Sequence, residues 1–226
     1  MLHYYQNSHK KGCYFLKYNK IGLVIAMQEE AAPIIKGLEL KKARSRKGGF
    51  KVFKNNSVIL IISGIGTVNA ALAAHTLALV YKCDIILNTG TCGAAGKKFK
   101  PCDIVSVKRV YKRDVDLTIA GYKKYEIPGN DEFIALTPDE NFVACDCYSS
   151  DEFVGINSDV PKDVIVEMEA YSVAFVCRRY DIPCKIYKVV SDLTDTNTDD
   201  SEFKANLPKA TKALAEYIIK FVKTLI

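Results

Sequence analysis

The sequence predicts an α/β protein: one domain, with three α/β/α layers around a central mixed, mostly parallel sheet. Two patterns predict it. Short runs rich in Val and Ile are apolar without interruption, which is how strands covered on both faces read. The segments between them change to helical spacing of apolar residues. The 226 residues suffice for one sizeable core, and no repeat, low-complexity linker or composition break divides the chain.

In chain order, IGLVIAM (21–27) is the first strand and QEEAAPIIKGL after it is helical. SVILIIS (57–63) is the second strand, followed by the helical stretch TVNAALAAHTLALVYK. CDIILN (83–88) and CDIVSVK (102–108) are the third and fourth. DVIVEM (163–168), the fifth, leads into helical EAYSVAFVCRRYD. CKIYKVVS (184–191) is the sixth, and LPKATKALAEYIIKFVKTL closes the chain as a helix. Residues 1–20 form a basic, aromatic-rich extension, and the domain spans 21–226.

Hydrophobic residues make up 49% and charged residues 26%, ordinary for a soluble globular protein. The formal charge is +6, from 32 basic residues against 26 acidic. The excess is lysine, much of it in the first twenty residues or near the C-terminus, and reads as a solubilising surface. A nucleic-acid partner would call for Arg interleaved with aromatic residues on one element, so none is expected. No apolar stretch reaches the ~20 residues that cross a bilayer, and the N-terminus lacks the apolar core of a secretory signal. A cytoplasmic protein without a membrane partner is expected. Of eight cysteines, Cys145 and Cys147 are the one close pair, with no second pair or histidine nearby to complete a zinc site. No metal and no cofactor are expected.

In sheets of this kind ligands bind at the carboxyl ends of the strands. There the chain places Gln28-Glu29-Glu30, Ser63-Gly64-Ile65-Gly66, Asn88-Thr89-Gly90-Thr91-Cys92-Gly93, Glu167 with Glu169, and Ser191-Asp192. Singly, each has an ordinary structural explanation: acids favour helix N-termini and glycines make turns. Carboxylates at three of these ends weigh against that explanation for the whole set. In VIVEMEAYSVAFV (164–176), Glu167 and Glu169 stand among Val, Ile, Met, Ala and Phe, where an unpaired carboxylate is costly or changes its pKa. Glu167 reads as a helix-start residue. Carboxylates without histidine or metal suit chemistry through a sugar cation. One acid protonates the leaving group, a second activates water, and a poorly hydrated pocket keeps the first one protonated. A third can hold sugar hydroxyls.

At this point the motifs IGLVIAMQEE, SGIGTVNAA, NTGTCGA, AGYKKYEIPG, SSDEF, VEMEA and VVSD become recognisable together. From about residue 21 to the C-terminus the sequence resembles the 5′-methylthioadenosine/S-adenosylhomocysteine nucleosidases, within the nucleoside phosphorylase superfamily. The resemblance implies a nucleoside phosphorylase-like fold, no cofactor, and a homodimer whose partner completes the 5′ pocket. It implies that Glu30 activates water, that Asp192 protonates the purine at its imidazole-ring nitrogen with Ser191 positioning it, and that Glu169 bonds the ribose hydroxyls. Met168 would lie against the sugar and Phe153 would stack on adenine, with backbone groups of Val154 reading the base edge. Thr91 stands where the family often has Ser. Met27, Ile65 and Phe203 would line the pocket for the 5′-thio group.

Phosphorylases of the superfamily hold phosphate with arginines in the first turn and ahead of the third-strand glycine. Here those places read AMQEE and Asn88, so no guanidinium offers a bidentate grip on phosphate, and hydrolysis is favoured. A purine nucleoside phosphorylase, or a nucleosidase for another adenosine derivative, is the alternative. The chain departs from the family in three places. The stretch between IPG and SSDEF is short for the helix usual there. Ala120 stands where the dimer partner commonly lends an aromatic, whereas Pro128 is retained. The segment TDTNTDDSEF after Asp192 is very acidic.

Overall fold

The computed structural model describes residues 17–44, 49–155, 159–196 and 199–226. The extension read over 1–20 thus lies outside the described residues except for 17–20. There, Tyr18 N donates to Leu225 O at 2.8 Å, and the amides of Asn19 and Lys20 donate to the Asp84 carboxylate at 3.0 and 2.9 Å.

The sheet is built outward from β1 (Ile21–Ile25), fully buried along its length. It lies parallel to both β4 (Val58–Ile62) and β5 (Ile85–Ala95). Beyond β5 comes β10 (Cys184–Leu193), also parallel. From β10 the pairing passes antiparallel to β6 (Ile104–Lys112) and parallel to β8 (Val143–Ser149). It continues parallel to β9 (Val164–Glu167) and returns antiparallel to β5. These strands close a ring on one side of the open sheet. β3 (Lys51–Lys54) and β2 (Lys41–Ala43) add antiparallel at the other edge of the open sheet, and β7 (Phe133–Ala135) adds antiparallel to β6 in the ring.

Two helices cover each face of the open sheet. Ile34 of α1 (Gln28–Gly37) and Leu214, Ile218 and Val222 of α4 (Ser201–Leu225) bury against Leu23, Leu60 and Leu87. On the opposite face α2 (Thr67–Thr76), prolonged by a π-helical turn over Leu77–Tyr81, lays Ala70, Ala73 and Ala74 against Val24, Ile61 and Ile86. Val173 of α3 (Ala170–Arg179) joins the same cluster. Burial of these side chains removes about 25 cal/mol of unfavourable hydration per Å² of apolar surface, which holds the layers together.

The three-layer arrangement and the mixed sheet are as the sequence predicts; three local readings need correction. First, the segment Asn88–Gly93, read as a strand-end loop, is the continuation of β5, because β9 and β10 pair with it as far as Ala94 and Ala95. Second, β2, β3, β7 and β8 were not expected. β8 hides in VACDCYS, where Cys145 and Cys147 point into an apolar cluster while Asp146 faces outward to Arg109 at 2.6 Å. Third, α4 starts at Ser201, six residues before the helical run read from the sequence, and contains Pro208. Proline costs that helix one internal hydrogen bond. Residues 121–149 carry β7 and β8 and no helix, in keeping with the shortness of that stretch. Among the described residues no helix is long and apolar enough to cross a membrane.

Candidate active site

The carboxyl ends of β1, β5, β9 and β10 and the start of α2 surround a cavity of about 250 Å³. After β1 it is lined by Met27 and Glu30, and on β5 by Thr91. Met168 and Glu169 reach it from the β9–α3 junction, and Ser191 and Asp192 from β10. Ile65 ahead of α2, Phe153 and Val154 after β8, and Phe203 on the first turn of α4 complete the wall. Every residue that the sequence reading assigned to a site is therefore on this one surface.

Glu30 sits on the first turn of α1 and is buried. Its Oε1 accepts from Thr91 N and Thr91 Oγ1, both at 2.8 Å, and its Oε2 accepts from Met27 N at 3.1 Å. The last contact is half of a helix capping box. Burial pushes its carboxyl above the ordinary range, and the Thr91 donors pull it partly back. Such a group holds its charge only weakly, which suits a base that must take a proton. Asp192 is buried as well, and Ser191 Oγ lies 2.5 Å from its Oδ1 and 3.1 Å from Cys92 O. Two glycines of β5 back these acids. A Cβ at Gly90 would meet Glu30 Oε1 at 2.9 Å, and one at Gly93 would meet Asp192 Oδ2 at 3.2 Å.

Glu167 and Glu169 are the acids whose burial asks for a reason, and the structure supplies two. Glu167 accepts from the amides of Glu169 and Ala170 at 2.9 and 2.8 Å, at the start of α3. Ser149 Oγ donates to it too. The second reason is Lys188 at the middle of β10, 1% exposed, with Nζ 2.7 Å from Glu167 and 3.7 Å from Glu169. Burial raises the Glu167 carboxyl, but Lys188 and the hydrogen bonds outweigh it, so the net direction is down. The same acids outweigh burial at Lys188 and hold its ammonium charged. Glu169 keeps one good donor, Gly66 N at 3.0 Å. Burial therefore wins there: despite Lys188, and with Glu167 adding to the push, its carboxyl rises to about 7. The sequence reading did not single out Lys188. Its signal was a lysine at the centre of the apolar run CKIYKVVS.

The chain's likenesses agree with this geometry. Residues 20–154 and 142–223 match the phosphorylase superfamily. A 5′-methylthioadenosine/S-adenosylhomocysteine nucleosidase of Buchnera aphidicola is 33% identical over 92% of this chain and 99% of the relative. The chain belongs to this nucleosidase family. Among solved structures, a Helicobacter pylori nucleosidase mutant with 5′-methylthioadenosine in its active site superposes with a TM-score of 0.83 at 25% identity, over 91% of this chain and 98% of that one. The futalosine hydrolase of the same organism superposes at 0.81 and 27%, over 92% and 97%. The fold and the family of the chain thus rest on nearly its whole length.

Proposed function

We propose that this chain hydrolyses the N-glycosidic bond of 5′-methylthioadenosine and S-adenosylhomocysteine, releasing adenine. One observation carries the reading: Glu30, Glu169 and Asp192, from three different strand ends, line a single small cavity. In the mechanism that follows, Asp192 gives its proton to the imidazole-ring nitrogen of adenine. The C1′–N bond lengthens and positive charge develops on the ribose. Glu30 takes a proton from water as the water oxygen bonds to C1′, so that adenine and the free thiosugar leave. Glu169 accepts hydrogen bonds from the ribose hydroxyls. Ser191 orients Asp192, and Met168 packs under the sugar. Phe153 stacks on the base beside the backbone of Val154. Thr91 holds Glu30, while Met27, Ile65 and Phe203 contact the 5′ substituent. The steps need no cofactor.

Hydrolysis fits better than phosphorolysis. No arginine or lysine lines the cavity among the described residues, and the Asn88 side chain is turned to Val24 O at 3.1 Å. A phosphate dianion would meet carboxylates and find no bidentate cation. The same reading includes a homodimer. Its support is a row of exposed apolar side chains beginning at the cavity wall, Ile65, Val68 and Leu72, with the fully exposed Ile119 beside Ala120.

The test is incubation with 5′-methylthioadenosine in phosphate-free buffer, with S-adenosylhomocysteine in a parallel arm. Free adenine and an unphosphorylated sugar are expected, at a rate that added phosphate leaves unchanged. A sugar phosphate as product would make the chain a phosphorylase. Binding without release of adenine would make it a nucleoside-binding protein.

A further inference from the structure

We infer that Asp151 is a positioning residue that sets the gap between the base-stacking wall and the 5′ wall of the cavity. Asp151 itself does not line the cavity. It stands between Ser150 and Phe153 on the segment after β8, and its Oδ1 accepts from Thr67 N at 2.6 Å while its Oδ2 accepts from Thr67 Oγ1. Thr67 opens α2, and the residue before it, Gly66, gives its amide to Glu169. The amides of Gly66 and Thr67, at the start of α2, are therefore each claimed by a carboxylate, one from the cavity floor and one from the segment that carries Phe153. Both are charge-assisted bonds at a helix N-terminus, where the dipole favours an anion.

Packing anchors the neighbouring Val154, 7% exposed, in a cluster that contains no residue of α2. Phe153 and Ile65 flank this contact on the two walls, and each is 53% exposed, so neither is fixed by a surrounding core. The approach is close enough to demand glycine: Gly66 has φ 104°, and a Cβ there would lie 3.0 Å from Asp151 Oδ1. From the other side Arg113 donates to Ser150 Oγ at 3.0 Å and Glu152 Oε2 at 2.6 Å. Arg113 steadies the segment against β6 but makes no bond to α2; among the described residues, Asp151 is the side chain that hydrogen-bonds this segment to the start of α2.

This rests on the nucleosidase reading, and its test has one arm that does not. Asp151→Asn and Asp151→Ala are compared with the unaltered chain for turnover of 5′-methylthioadenosine and, by calorimetry, for adenine binding. Loss of a charge-assisted pair predicts that KM and the adenine Kd each rise about tenfold while kcat stays within about threefold. Thr67→Ser, which keeps both donors, is expected to behave as the unaltered chain, and Thr67→Val, which keeps only the amide, to fall between. Unchanged KM and adenine Kd in folded Asp151 variants would overturn the inference. So would a parallel loss of kcat and melting temperature, which marks general loosening. Should the unaltered chain release no adenine, the proposed reaction fails while the adenine Kd comparison still decides the role of Asp151.

Discussion

Glu30 and Asp192 are each held by a neighbour and by an absence. Thr91 supplies two donors to one, Ser191 bonds the other, and at Gly90 and Gly93 the missing side chains make room for them. If these acids act as base and acid, Asp192→Asn and Glu30→Gln each lower kcat by about 10²–10⁴ with the melting temperature nearly preserved. The isosteric amides fill the same space and lose only the proton chemistry. Gly90→Ala is expected to do the same by displacing the Glu30 carboxylate, without removing it. Near-normal adenine release by the first two variants would remove the mechanism. The acids themselves were legible in the sequence as a set: each alone reads as an ordinary helix-start residue, but carboxylates at three strand ends of one sheet point together to a site. What holds them was less so. From sequence, Thr91 sits within a glycine-rich strand-end loop, yet β5 is still a strand there, carried on by its pairing with β10 and β9.

The β9–α3 junction and β10 form one electrostatic unit, since Lys188 from β10 answers both acids of VEMEA. Its consequence is a pH dependence with a definite sign. Glu169 accepts sugar hydroxyls best when ionised, and its carboxyl lies up at about 7. The acid limb of kcat/KM should then rise with pH through about 7. For stability the sign is opposite. A folded-state value above the ordinary 4.5 means that the contribution of Glu169 is complete below that pH and is lost as pH rises through the folded value. Lys188→Met takes away the cation that pulls Glu169 down, so the limb moves to higher pH. It also leaves Glu167 buried without its partner, at a cost of about 3–5 kcal/mol. Lys188→Arg keeps the charge and is expected to restore the profile. pH–rate curves and denaturant titrations of the variants check both signs, and an acid limb that stays put in Lys188→Met would mean that another group titrates there. This unit escaped the sequence reading for a physical reason. Helix and strand periodicity mark which residues are buried, but not which buried lysine faces which acid across a parallel-antiparallel ring. The same blindness hid β8, whose alternation of Cys, Asp and Cys resembles a ligand pair until Asp146 is seen turned out to Arg109.

The layers account for the core of the chain, but they leave one helix with two apolar faces. On α2 the inward side is Ala70, Ala73 and Ala74, small enough to sit close on the sheet. Its outward side carries Val68, 77% exposed, with Leu72 and, on the π-helical turn, Leu79. Spacings of four and seven residues put these three on one stripe, and Ile65, just ahead of the helix, lines the cavity. An exposed apolar row continuous with a site wall marks an interaction surface better than scattered apolar residues do. A second copy of the chain meets the case, since a two-fold contact through α2 would bury the stripe of each copy and close the open side of each cavity. Interfaces of that kind bury on the order of 1,600 Å² in total, and a charge at their centre is poorly tolerated. Val68→Glu with Leu72→Glu should therefore convert a dimer to a monomer in sedimentation velocity. The helix should remain folded, because both positions face away from the sheet. If the partner completes the 5′ wall, KM for 5′-methylthioadenosine rises in the monomer more than the Kd for adenine, which does not reach that wall. Equal losses for both ligands would mean that the contact supports the fold of α2 without touching the substrate, and a variant that stays dimeric would move the interface to another face.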